Sequence, residues 1–128
     1  MHVVDRHLEV ALPPRPESVG AARRALGQIL VGLDERTRDG VTVIVSELVT
    51  NAVKHGPDRP IALRIWRDGD AVRGEIEDEG RGKVEIWRES ERGERGGYGL
   101  PIVDAMSDRW GVYDGNTRVW FELVDRKS

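Results

Sequence analysis

The chain contains no cysteine. Disulfides, thiolate nucleophiles and thiolate metal sites are therefore excluded, and the composition suits a reducing compartment. Histidine is scarce: His2, His7 and His55 are scattered, and no H-E-x-x-H or comparable cluster offers a histidine-based metal centre. No apolar run approaches the roughly 20 residues needed to span a bilayer, and the N-terminus lacks the apolar stretch of a secretory signal. A soluble, cytoplasmic chain without a membrane partner is expected. There is no excess of positive charge either, with 20 basic and 23 acidic residues giving a net charge of −3. The arginines are interleaved with Asp and Glu, so no nucleic-acid partner is expected. The P-loop lysine motif is also missing, which removes the commonest loop for cradling phosphates.

What remains fits a single domain over residues 1–128, large enough at 14.4 kDa to bury a two-layer core. Residues 7–12, HLEVAL, alternate as a short strand that Pro13, Pro14 and Pro16 terminate. A helix opens between Pro16 and Ser18, with an apolar stripe running from Ala21 and Ala22 through Leu26 and Ile29 to Leu33. A second helix covers about 35–55 and stops at Gly56-Pro57. From Ile61 the period changes to two, and Asp68-Gly69-Asp70 turns one strand into the next. Gly99 to Ser107 reads as a short helix opened by Pro101, and two strands follow near 109–113 and 117–124. Early helices and later strands predict an α+β two-layer sandwich, with helices on one face of a mixed, mostly antiparallel sheet.

The second helix spends polar groups where a core wants none. In VTVIVSELVTNAVKHG, residues 41–56, Glu47, Asn51 and His55 recur every fourth position. Residues four apart sit about 40° apart around a helix axis. Glu47 and Asn51 therefore share one edge, beside an apolar face of Val41, Ile44, Val45, Leu48, Val49, Ala52 and Val53. A half-buried carboxylate and a mid-helix amide are costly without partners, so a binding role competes with simple solvation of the edge. His55 needs no ligand to explain it, because a basic residue at a helix C-terminus complements the dipole.

Two further stretches carry chemistry. Continuing the alternation of Val72, Gly74 and Ile76 puts Asp78 on the apolar side at a strand end, and it opens the turn Asp78-Glu79-Gly80-Arg81-Gly82. Residues 79–98, rich in Gly, Arg and Glu, form a connection long enough to be a lid or binding loop. It contains Gly93, Gly96 and Gly97 and leads through Gly99 into the third helix. The four tryptophans, Trp66, Trp87, Trp110 and Trp120, read as packing or surface aromatics rather than base-stacking residues. Arg81, Arg92 and Arg95 read as solvated loop arginines.

The order and spacing of these stretches resemble the GHKL ATPase superfamily, over nearly the whole chain. Ser46 to His55 is similar to the N-box of the short anti-sigma-factor serine kinases. Asp78, Gly80 and Gly82 match the first glycine box, Gly97-Tyr98-Gly99-Leu100 matches the second, and Asp108-Arg109-Trp110-Gly111 is also similar. The resemblance implies ATP and Mg²⁺ as cofactors. It implies that Asn51 ligates Mg²⁺ through its side-chain oxygen, that Glu47 is the catalytic base, and that Asp78 accepts from the adenine amino group. Gly80 and Gly82 would let the backbone approach base and sugar. Gly97, Gly99 and Leu100 would form the lid and the helix start that meets the phosphates.

The activity this implies is that of a protein serine/threonine kinase. Its substrate would be an anti-sigma-factor antagonist, and the chain would regulate transcription by partner switching, with a sigma factor as a second partner and a homodimer as the assembly. A nucleotide-gated binding module without useful catalysis is the alternative. The catalytic half of a histidine kinase would require a phospho-accepting histidine on a separate chain.

Overall fold

Alternation of apolar and polar residues in each strand, with two amphipathic helices between the first strand and the rest, leaves one face of a sheet to be covered. The computed structural model describes residues 5–56, 58–78, 100–113 and 118–125. Its elements in chain order are β1 (Asp5–Leu12), α1 (Glu17–Ile29), α2 (Glu35–His55), β2 (Ile61–Asp68), β3 (Ala71–Glu77), α3 (Leu100–Met106), β4 (Arg109–Tyr113) and β5 (Arg118–Val124). The strands form one sheet in the order β1-β2-β3-β5-β4. All four ladders among the described residues are antiparallel, so the mixed sheet expected from the sequence resolves to a wholly antiparallel one.

Period-two patterning decides which face is buried. Ile61, Leu63, Ile65, Val72, Ile76, Val119, Phe121 and Leu123 turn inward and are buried. They meet Ala22, Leu26 and Ile29 of α1 and Val41, Ile44, Val45, Leu48, Val49 and Ala52 of α2 in one core. The other face carries charge and aromatic plates. Arg64 reaches Glu9, Glu75 and Glu77 at 3.3, 3.4 and 3.1 Å. Arg109 lies 2.7 Å from Glu122, the Arg73 guanidinium sits 4.4 Å from the Trp120 ring centroid, and His7 stacks on Trp66 at 5.3 Å. Trp110 donates from its indole nitrogen to Asp104 at 2.8 Å, joining β4 to α3. These three tryptophans are packing and surface aromatics, as expected; Trp87 lies outside the described residues.

The helices end where distant groups claim their backbone. Arg67, buried on β2, donates to the carbonyl oxygens of Ile29 and Gly69, each at 3.1 Å, and to that of Val31. A guanidinium at the negative end of α1 satisfies carbonyls that have no intrahelical partner. This is why α1 stops at Ile29 although its apolar stripe continues to Leu33. Gly32, at φ 88°, then reverses the chain, and Asp34 caps α2 by accepting from the Thr37 backbone N–H at 2.8 Å. Among the described residues no helix is long and apolar enough to cross a membrane.

Candidate functional site

Helix α2 supplies the polar edge. Its seating on the sheet is close: a Cβ built on Gly40 would lie 2.7 Å from Leu123 Cδ2 on β5 and 3.6 Å from the Met106 carbonyl oxygen at the end of α3. With Ile44, Val45, Leu48 and Val49 buried beneath it, α2 cannot roll without breaking core contacts, and this fixes where Glu47 and Asn51 point. Both are half-buried, one helical turn apart. Beside Glu47, the buried Ser46 hydroxyl accepts from Arg23 Nε of α1 at 2.9 Å, which ties the two helices together next to the carboxylate.

Asn51 carries the most telling single atom. Its Nδ2 is buried and has no hydrogen-bond partner. A buried, unpaired amide costs about 1–3 kcal/mol of desolvation, so its retention at a helix edge asks for a ligand. The oxygen and nitrogen of an amide are told apart only by their hydrogen bonds. With no partner on the nitrogen, the same side chain can turn its oxygen toward a cation.

Asp78 lies just past the end of β3 and is half-buried. A Cβ built on Gly56, the C-cap of α2, would lie 3.1 Å from Asp78 Oδ2. The carboxylate at the strand end thus sits against the last turn of the helix that bears Glu47 and Asn51. Gly56 is five residues beyond Asn51, or about 8 Å along the axis. The sequence places all three polar side chains around the meeting of α2 and β3, and the structure brings Asp78 to that end of α2. Of the glycine-box residues, Gly80, Gly82, Gly97 and Gly99 lie outside the described residues. Leu100, the last residue of the second glycine box, is the first residue of α3. The expected lid, 79–98, also falls outside the described residues.

A cleft of about 420 Å³ opens elsewhere, between α1 and the first turns of α2, where Arg23, Gly27, Arg38 and Thr42 line it. It does not reach the Asn51 end. Among the described residues no group of three His, Asp or Glu side chains is arranged to hold a metal ion. Mg²⁺ commonly keeps several waters and takes phosphate oxygens among its ligands, so a site for it does not need such a group.

Residues 12–123 match the family model for the histidine kinase-like ATPase domain. The chain belongs to that family. ATP is the ligand that membership implies, and the unpaired Asn51 amide and the Asp78 carboxylate are donor and acceptor groups that fit a nucleotide with its cation. Among curated proteins, the serine-protein kinase RsbW of Oceanobacillus iheyensis is 29% identical over 119 residues, covering 80% of this chain and 75% of that protein. Among solved structures, the RsbU and RsbW domains of a Mycobacterium tuberculosis protein superpose with a TM-score of 0.67 at 23% identity. That match covers 94% of this chain and 32% of the other. The structural likeness establishes the fold: the α+β sandwich that the sequence patterns predicted, of the GHKL type that the resemblance implied.

Sequence reasoning missed two contacts in this region. Gly56 reads from the sequence as a helix stop, and nothing local signals that Asp78, 22 positions on, approaches it. Ser46 reads from the sequence only as the first residue of the N-box stretch, and the arginine that binds it lies on another helix.

Proposed function

We propose that the chain is an ATP- and Mg²⁺-dependent protein serine/threonine kinase. Its substrate is an anti-sigma-factor antagonist, and it regulates transcription by partner switching. The observation that carries the reading is the pairing of a half-buried carboxylate, Glu47, with a buried, unpartnered amide, Asn51, one turn apart on a helix in a histidine kinase-like ATPase fold. Similarity to a serine-protein kinase supports the reaction class. Binding alone would use Asp78 and the glycines; a carboxylate beside the phosphates is what transfer adds.

In this reading Asp78 accepts a hydrogen bond from the adenine amino group and fixes the base at the β3 end. Asn51 would hold Mg²⁺ through its side-chain oxygen, and the ion would supply neutralisation of the phosphate charge. Glu47 accepts the proton of the substrate serine or threonine hydroxyl as its oxygen bonds to the γ-phosphorus, while the bond from that phosphorus to the bridging oxygen of ADP breaks. Gly80 and Gly82 admit the backbone close to base and sugar. Gly97, Gly99 and the Leu100 end of α3 close over the phosphates. The protein works as a homodimer in the cytoplasm, and a sigma factor competes with the antagonist for it.

Glu47→Gln should bind ATP as tightly as wild type and transfer phosphate about 10²-fold more slowly or worse. A labelled-phosphate assay with the antagonist, alongside calorimetric ATP binding, reads both quantities. Unchanged turnover in the variant removes Glu47 from the chemistry. A wild-type chain that forms an ATP-dependent complex but phosphorylates nothing would favour the nucleotide-gated binding module instead.

A further inference from the structure

The C-cap of α2 is more than a helix stop. Gly56 donates its backbone N–H to the Ala52 carbonyl oxygen at 2.9 Å, closing the last turn. Its φ of −85° is open to any residue, so backbone conformation does not demand glycine there. Space does. A Cβ at this position would lie 2.6 Å from the Ala52 oxygen and 3.1 Å from Asp78 Oδ2. The first approach is closer than carbon and oxygen tolerate, and the neighbour is backbone, so the turn itself would have to shift. The second would press on the carboxylate from the helix side.

The missing side chain therefore lets two parts of the molecule meet: the end of the helix carrying Glu47 and Asn51, and the strand end carrying Asp78. That meeting has an electrostatic cost, because a carboxylate beside the C-terminal carbonyls of a helix faces the negative end of its dipole. Lys54 and His55 stand in the same last turn.

We infer that Gly56 is a positioning residue for base recognition: by lacking a Cβ it lets the α2 terminus and the Asp78 carboxylate sit in contact, and so sets where the acceptor for a purine amino group lies relative to Asn51. The inference rests on the reading of Asp78 as the adenine acceptor.

The test measures affinities for ATP, GTP and inorganic tripolyphosphate in wild type, Gly56→Ala, Asp78→Asn and the double variant, with thermal melting of each. Wild type is expected to prefer ATP over GTP. Gly56→Ala should weaken ATP binding by about tenfold or more, the scale of one lost buried hydrogen bond, and leave tripolyphosphate binding unchanged. In the Asp78→Asn background, the glycine substitution should change ATP affinity little, because the group it positions has been replaced.

Equal losses for ATP and tripolyphosphate, or losses that add fully in the double variant, would mean that Gly56 only supports the helix, and the inference would fail while the functional reading stood. A wild-type chain without preference for ATP would remove the adenine acceptor and the inference together. Should Gly56→Ala not fold, the Gly56 amide resonance of the wild type decides. Adenosine should shift it, and the shift should vanish in Asp78→Asn; a resonance indifferent to adenosine in the wild type overturns the proposal.

Discussion

Asp34 joins the start of α2 to the far end of the chain. Its carboxylate accepts from the Thr37 backbone N–H, while its own N–H donates to Asp125 Oδ2 at 3.0 Å. Thr37, with help from Asp125 and Arg36, holds its carboxyl below the usual range against a smaller opposing effect of desolvation. A carboxylate with a depressed folded-state pKa contributes stability that is complete above its unfolded value, near pH 4. That contribution is lost as pH falls through the lower folded value. Asn caps helices about as well as Asp but does not titrate. Asp34→Asn should therefore keep most of the stability at pH 7 and weaken the dependence of the urea midpoint on pH below 4, whereas Asp34→Ala should lower the midpoint at every pH above that. Identical acid profiles for wild type and Asp34→Asn would remove the cap from the acid response.

Strand β3 shows how an element depends on a neighbour that its own sequence does not name. Gly74 pairs with Phe121 on one side and Ile65 on the other. A Cβ there would lie 2.3 Å from Phe121 Cζ and 2.9 Å from Ile65 Cδ1. The phenyl ring occupies the space above the glycine, which is how the only phenylalanine in the chain becomes fully buried. Gly74→Ala should overpack this point and destabilise the fold by about 1–3 kcal/mol. Combining it with Phe121→Leu should recover part of the loss, so the two changes will not add in urea unfolding. A neutral Gly74→Ala would show that the ring moves aside freely. The alternation of Val72, Gly74 and Ile76 made the buried face of this strand legible, yet nothing near Gly74 announces the ring from β5. Where α2 stops was legible for the opposite reason, since Gly56 follows it directly in sequence. Where α1 ends was not, because the arginine that takes its carbonyls is Arg67, on a strand formed after α2. The strand order shares that difficulty: β5 enters between β3 and β4, and hairpin signals report only neighbours in sequence.

In the whole molecule the candidate site straddles the two layers, with Glu47 and Asn51 on the helical side and Asp78 just past the end of the sheet's central strand. A ligand held by both sides binds the folded state alone, since unfolding separates the layers. It should therefore raise the melting temperature by mass action, with about 2.7 kcal/mol of stabilisation at a hundred times its dissociation constant. For a domain of this length that corresponds to roughly 10 °C. The division of labour proposed for the two layers makes the rise separable. ATP with Mg²⁺ should shift melting further than ATP with chelator, and Asn51→Ala should erase that difference while retaining the smaller shift due to base recognition. Asp78→Asn should do the converse, lowering the shift with and without Mg²⁺ but keeping the increment that the ion adds. Scanning calorimetry over a range of ATP concentrations distinguishes these patterns. If both variants lost the same fraction of the shift with and without the ion, the separation of roles between helix and strand would be wrong, and one undivided pocket would have to replace it.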